Sequence, residues 1–146
     1  MIPSKRTEQA SAAVVRPSEK ELWKKLTEAK ELIKRAKWLP AAPPKLRADF
    51  EELETLFDIE TALPEDQSAI LLTALEEIAA ADYVGSRPPM RSYERATHNQ
   101  EMFAFHWKSA HFKCEMYFKF CFSGADKGRR AWVFSIHPHR EDQDAD

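Results

Sequence analysis

Polar side chains recur at every second position of three apolar runs near the end of the sequence. The runs read FAFHWKS, KCEMYFKFCF and AWVFSIHPH. Side chains that titrate or donate hydrogen bonds occupy alternate positions: His106, Lys108, Tyr117, Lys119, Ser135 and His137. Successive side chains of a β-strand point to opposite faces, so this spacing predicts that the six share one face of a sheet. We expect an open polar face with cations and proton donors but few carboxylates.

A face of this composition suits a phosphodiester substrate. Cleaving RNA without a metal requires a base for the 2′-hydroxyl, an acid for the departing 5′-oxygen and cations for the charge at phosphorus. Histidine suits both proton steps because its unperturbed pKa is about 6.5, whereas tyrosine, with a pKa of about 10, needs nearby cations to lower it. An ordinary solvated sheet face explains the same residues without any ligand.

Three neighbouring strands must position these side chains. The other positions of each run predict a face that packs against the core: Phe103, Phe105 and Trp107, then Cys114, Met116, Phe118, Phe120 and Phe122, then Trp132, Phe134 and Ile136. The segment SGADKG is typical of a loop between neighbouring strands, and Pro138 is expected to end the last one. One apolar and one polar face indicate an antiparallel meander with helices on its apolar side.

Helical periodicity fills the first half of the chain. Ser18 and Glu21 have the spacing of a capping box, and apolar residues recur behind them every three or four positions. A second helix is predicted from about Leu46 to Phe57, and a third from Pro64, a favourable first-turn residue. The stretch WLPAAPPK predicts a stiff connector. The predicted fold class is α+β, with N-terminal helices packed on one face of a small C-terminal antiparallel sheet.

Length and composition predict one domain. The chain has 146 residues, 43% of them hydrophobic, which suffices for a single core. We expect this domain over residues 18–140, with helices at about 18–82 and strands at about 102–138. Residues 1–17 are expected to form a flexible arm and residues 141–146 an acidic tail.

The sequence contains neither a run of about 18 apolar residues nor the apolar core of a signal peptide. Cys114 and Cys121 lie an odd number of residues apart in one predicted strand, so they point to opposite faces and cannot bridge. These features predict a cytoplasmic protein with no membrane partner.

Charge is distributed unevenly along the chain. From Ala48 to Asp82 there are eleven acidic residues and no lysine or arginine. From Tyr83 to Arg140 there are ten lysines or arginines and four acids. The basic half is typical of a surface that meets an anionic partner, although charge runs more often form plain solvated surface.

The order of elements and several short motifs resemble the RelE superfamily of bacterial toxins, and within it the MqsR type. The motifs are KELIKRAK near Lys30, DYVGSR from Asp82, FAFHWK from Phe103, MYFK from Met116 and FSIH from Phe134. They lie within residues 28–137. The resemblance implies a RelE-like fold, in which helices precede a closing strand meander.

The resemblance also assigns roles to single positions. It places the family's catalytic tyrosine on Tyr117 and its closing lysine on His137, where histidine keeps a cationic, proton-transferring side chain. The family's strand glutamine falls near Ala104, and His106 is the available substitute on the same face. The family's lysine after an acid-aromatic pair falls on Gly85, so another cation has to take its place.

The activity that the resemblance implies is that of a ribonuclease toxin from a toxin–antitoxin pair. Such a protein cleaves messenger RNA, free or on the ribosome, and a cognate antitoxin protein neutralises it. Under this hypothesis Tyr117, His137 and His106 transfer protons, and neither a metal nor another cofactor is needed. The predicted phosphate-binding cations are Lys119, Arg87, Arg91, Lys108 and Arg140.

A zinc centre is one alternative. Three imidazoles and a water molecule form a catalytic zinc site, and the C-terminal half offers His106, His111, His137 and His139. Pro138 separates two of these histidines, and the sequence HPH is more typical of a strand end with two exposed side chains.

A non-catalytic module is the stronger alternative. The basic half would bind RNA through phosphate contacts and base stacking, either on Tyr117 or on Tyr93, which Arg91 and Arg95 flank. Alternatively, the acidic stretch at 48–82 would dock a basic protein.

Overall fold

A computed structural model describes residues 17–85 and 89–140. Within these residues there are three α-helices and four β-strands. In chain order they are α1 Glu19–Lys34, β1 Trp38–Pro40, α2 Pro43–Phe57, α3 Pro64–Glu77, β2 Phe103–Ser109, β3 Cys114–Ser123 and β4 Arg130–Pro138. Short 3₁₀ turns follow α3 and precede β4. The predicted α+β class is confirmed at this level. None of the helices in the described ranges is long and apolar enough to cross a membrane.

Helix α1 begins at its predicted capping box. Ser18 Oγ accepts a hydrogen bond from the Glu21 backbone N–H at 3.1 Å, and Glu21 Oε1 accepts one from the Ser18 N–H at 3.3 Å. The exchange satisfies N–H groups that a helix start otherwise leaves without partners. The buried side chains of the helix are Leu22, Leu26, Ala29 and Ile33, as their spacing predicts.

The sheet is mixed, with strand order β1-β4-β3-β2. Strands β2, β3 and β4 form the predicted antiparallel meander, but β1 pairs with β4 in parallel, with Trp38 opposite Ala131 and Pro40 opposite Val133. The predictions of an all-antiparallel sheet and of a plain connector at WLPAAPPK are therefore wrong. Three residues are too few to display a period of two, and proline, which has no N–H, is tolerated because β1 lies at the sheet edge.

The helices cover one face of the sheet, which we call the helix face. Its largest fully buried side chains include Phe105, Phe118 and Phe120, and the rings of Phe105 and Phe120 stack with their centroids 5.8 Å apart. Each helix contributes a fully buried leucine to this core: Leu22, Leu53 and Leu71. The predicted apolar positions of β2 and β3 form this face.

Strand β4 contains a β-bulge that changes which of its side chains face the helices. Phe120 of β3 pairs with Val133, and the residue before Phe120 pairs with Ser135, so Phe134 is an extra residue in β4. Val133 lies in the helix-face core, whereas Trp132 and Phe134 belong to a cluster on the opposite face, which we call the second face. The prediction that Trp132 and Phe134 face the helices is wrong because one inserted residue moves the side chains beyond it to the other face.

Residues 90–102, which precede β2, pack against the second face. Met102 donates its N–H to the Met90 carbonyl at 2.7 Å, and Thr97 is fully buried. The cluster on this face consists of Ala41, Met102, Cys121 and Phe134, with Met90 and Trp132 packed against it. The second face is therefore covered at the end of β3 that contains Cys121.

The two cysteines are free thiols on opposite faces of β3, as predicted. Burial raises the pKa of the Cys121 thiol to about 12, and a hydrogen bond with Thr97 offsets only part of that rise. The Cys121 thiol is therefore protonated and unreactive at neutral pH.

One carboxylate fixes the turn between β2 and β3. Glu77, the last residue of α3, accepts hydrogen bonds from Trp107 Nε1 at 3.0 Å and Ser109 Oγ at 2.6 Å. It also accepts the backbone N–H groups of Ala110 and His111, both at 2.9 Å. Burial acts to raise the pKa of Glu77, but these four donors together bring it below its ordinary value.

Candidate functional site

The three predicted proton-transfer residues lie in one row across the sheet. His106 of β2 is the cross-strand partner of Tyr117 of β3, and Tyr117 is the partner of His137 of β4. The prediction that they share a face is confirmed. Lys119 and Ser135 form the next row on the same face.

Two residues of the row form a buried inner pair. The rings of Tyr117 and His137 stack with centroids 5.3 Å apart. Only 4% of the surface of Tyr117 and 2% of that of His137 is exposed. Ser135 beside them is completely buried. The prediction of an open polar face is wrong for these three residues. Alternation reveals that a strand face is polar, but not that other parts of the chain will cover it.

His106 and His139 form an outer pair at the border of the buried region. Their rings stack with centroids 3.9 Å apart and are nearly parallel. The backbone N–H of His139 donates to the Glu115 carbonyl at 2.9 Å, which holds the chain beyond β4 against β3. The side chain of His106 is 27% exposed. The His106 side chain is therefore more exposed than either residue of the inner pair, although His106 Nε2 and His139 Nδ1 are themselves buried.

Glu115 also contacts the outer pair with its side chain. Its Oε1 lies 2.8 Å from His106 Nε2, although the N–H direction is not that of a hydrogen bond. The contact is an ion pair only when the imidazole is protonated. We call the inner pair, the outer pair and Glu115 together the histidine cluster.

A buried carboxylate supports the cluster from the edge of β4. Asp49 of α2 accepts the Ile136 backbone N–H at 3.0 Å, where the short β1 no longer pairs with β4. Burial raises the pKa of Asp49, while the electrostatic interaction with His137 and the hydrogen bond from Ile136 oppose the rise. The sequence contained a signal for this role, since Asp49 occupies the apolar stripe of α2 next to Leu46 and Phe50.

Two of the predicted phosphate-binding cations lie on the same face as the cluster. Lys108 is exposed and pairs across the strands with Glu115. Lys119 is half-buried, with its Nζ 5.7 Å from the centre of the Phe134 ring.

Two further predicted cations, Arg140 and Arg91, contact other groups of the protein. Arg140 forms an ion pair with Glu52 of α2. Arg91 donates to the Asn99 carbonyl at 2.7 Å and lies beside Phe122, at the far end of β3 from the cluster. Arg87 lies outside the described residues.

The histidines considered for zinc do not all converge. His106 and His139 stack, but His111 lies in the β2–β3 turn with its ring edge-on to Phe112. Across residues 17–85 and 89–140, no group of three or more His, Cys, Asp or Glu side chains is arranged to hold a metal ion.

The cluster thus combines two stacked histidines at a surface border, a carboxylate in contact with one of them, and lysines nearby. His139 was missing from the predicted catalytic residues because it lies beyond Pro138, where β4 ends as predicted. Glu115 was missing because the predicted chemistry of this face used only cations and proton donors. In comparisons with known proteins, the chain matches no protein family, no curated protein and no solved structure.

Proposed function

We propose that the protein is a metal-independent endoribonuclease whose reaction takes place at the outer pair of the histidine cluster. The observation that supports this most directly is the approach of Glu115 to His106, in a ring pair that lies at the border of the surface. Two adjacent imidazoles provide the two proton-transfer groups that RNA cleavage needs without a metal.

In the proposed reaction, one neutral imidazole of the outer pair removes the proton of a ribose 2′-hydroxyl. The 2′-oxygen attacks the neighbouring phosphorus, and the bond from phosphorus to the 5′-oxygen breaks. A protonated imidazole donates a proton to that 5′-oxygen. The products are a 2′,3′-cyclic phosphate and a 5′-hydroxyl, so no external reactant is consumed. We assign the role of the acid to His106, the member of the outer pair that contacts Glu115.

Two lysines suit the charge that develops on the phosphorane. Lys108 and Lys119 are on the cluster's face, and Lys108 is exposed. Cations placed where negative charge develops lower the barrier of such a reaction. Tyr117 and His137 are positioning residues in this reaction, because both are buried next to the outer pair.

The test is cleavage of a single-stranded RNA by purified protein in the presence of a chelator. We expect a 2′,3′-cyclic phosphate product, and a His106→Ala protein that cleaves at least about 100-fold more slowly, since a general acid contributes roughly that factor or more. His111→Ala is the matched control, because this histidine lies in the β2–β3 turn and should leave the rate unchanged. RNA that stays intact with the wild type, with and without ribosomes, contradicts the proposal.

The biological role that we propose is that of a toxin held inactive by an antitoxin protein. The support is the sequence resemblance to the MqsR type of the RelE superfamily, together with the α+β order of helices before a strand meander. Expression of the wild type should arrest bacterial growth, and His106→Ala should relieve the arrest. Equal arrest by both proteins would separate toxicity from the proposed reaction.

RNA binding without cleavage is the second candidate function. The burial of Tyr117 and His137 favours it, because only the outer pair then remains for proton transfer. This candidate predicts that wild-type protein binds RNA and leaves it intact in both chelator and magnesium.

A further inference from the structure

The loop over residues 91–100 is a compact frame held by hydrogen bonds. The Ser92 N–H donates to the Gln100 carbonyl at 2.9 Å, and the Asn99 N–H donates to the Ser92 carbonyl at 3.0 Å. The hydroxyls of Ser92 and Thr97 are 2.8 Å apart, and both residues are buried. Because its base is packed and paired, this loop holds its outward side chains in defined places.

Tyr93 projects from this frame into solvent. It is 84% exposed, more than any other large hydrophobic residue among those described. A single exposed aromatic ring needs no explanation by itself. The exposure of Tyr93 indicates a binding site only in combination with the charged side chains next to it.

Cations lie on both sides of Tyr93 in the loop. Arg91 and Arg95 are exposed, and the guanidinium of Arg91 is held by its bond to the Asn99 carbonyl. Arg91 also lines a cleft of about 110 Å³ with Lys25 of α1 and Arg129. The nearby acids are Glu94, Glu101 and Glu28, and Glu28 pairs with Arg129.

We propose that Tyr93 is a stacking platform for one base of single-stranded RNA, and that Arg91, Arg95 and Lys25 contact the adjacent phosphates. This site deepens the proposed function, on which it rests, by naming single-stranded RNA as the substrate class. An aromatic ring between cations is the pattern by which proteins hold single strands without reading their sequence. A protein partner fits less well, because the loop around Tyr93 offers charged side chains and not an apolar patch.

The test measures binding separately from cleavage. A fluorescent 12-nucleotide RNA with 2′-O-methyl groups at every position has no 2′-hydroxyl to attack, so anisotropy reports affinity alone. We expect Tyr93→Ala to weaken binding by about 5- to 100-fold, the range found when a stacking residue is removed. Tyr93→Phe and Tyr93→Trp should bind within about threefold of the wild type, since each keeps an aromatic face.

Trp23→Ala is the matched control, because Trp23 is an aromatic residue of α1 with 62% exposure. It should not change the affinity. Equal binding by Tyr93→Ala and wild type overturns the platform, and so does a loss in Tyr93→Phe as large as that in Tyr93→Ala. Equal affinity for a duplex of the same sequence overturns the single-strand assignment.

The two proposals fail in distinguishable ways. Binding that depends on Tyr93, combined with an absence of cleavage of unmodified RNA, keeps the platform and overturns the nuclease. Cleavage that depends on His106 but not on Tyr93 keeps the nuclease and overturns the platform.

Discussion

The helix face and the second face of the sheet are formed by the same three alternating strands, yet they bury different kinds of side chain. The helix face packs phenylalanines against leucines from three helices. The second face buries Tyr117, Ser135 and His137 beside an apolar cluster around Cys121. A polar side chain in a strand with alternating polarity can therefore still be buried. A buried titratable group then requires contacts that compensate for its loss of water.

The compensation differs in kind between the two faces. On the helix face, close packing of apolar side chains supplies the stability. On the second face, ring stacking and charge contacts hold the titratable groups, as in the pairs Tyr117 with His137 and His106 with His139. We therefore expect the helix face to govern stability and the second face to govern function.

The largest expected effect tests this division directly. Phe118→Ala removes a fully buried ring from the helix face and should lower the free energy of unfolding by about 3–5 kcal/mol. Tyr117→Phe, at the adjacent position on the second face, removes only a hydroxyl and should cost about 1 kcal/mol. Urea denaturation followed by circular dichroism measures both. Equal losses of unfolding free energy in the two variants would contradict the expectation that the helix face governs stability.

A smaller effect is expected at the carboxylate beside the second face. Asp49→Leu leaves the buried Ile136 N–H without its acceptor and should cost about 1–3 kcal/mol. Asp49→Asn keeps an acceptor oxygen and removes the charge. Because burial raises the pKa of Asp49, its contribution to stability is greatest at acid pH and is lost as the pH rises through the folded-state pKa.

The stability of the wild type relative to Asp49→Asn should therefore fall as the pH rises above the unfolded-state pKa of about 4. Urea midpoints of the two proteins at several pH values measure this difference. A difference that is constant with pH, or one that favours the wild type more at pH 7, would show that the nearby cations outweigh burial at Asp49.

The parts of the fold that the sequence predicted are those set by local patterns. The capping box at Ser18 and the alternation of β2 and β3 depend on residues close in sequence, and both are confirmed. Strand β1, the bulge at Phe134 and the cover over Cys121 depend on contacts between distant segments. The spacing of apolar residues along the sequence contains no information about such contacts.

The candidate site divides in the same way. The row of His106, Tyr117 and His137 followed from alternation in three strands, and the structure brings the three together. The contact of His139 with His106 could not be predicted, because it depends on how the chain turns after Pro138. The burial of Tyr117 was missed for a related reason, since burial depends on what packs over a strand and not on the strand itself.

The smallest predicted effect concerns a carboxylate that bonds to the helix-face residue Trp107 and should respond to pH in the opposite sense to Asp49. Four donors bring the pKa of Glu77 below its ordinary value despite burial, so its contribution is present above the unfolded-state pKa and is lost as the pH falls through the folded-state pKa. Glu77→Gln should cost about 1 kcal/mol at pH 7, allowing for solvent screening, and almost nothing at pH 2 to 3. Glu76→Gln, at the preceding and more exposed position, should have no measurable effect at either pH. If Glu77→Gln lowered the free energy of unfolding equally at both pH values, the charge of the Glu77 carboxylate would not contribute to stability. The two carboxylates, Glu77 and Asp49, would then differ only in the geometry of their hydrogen bonds.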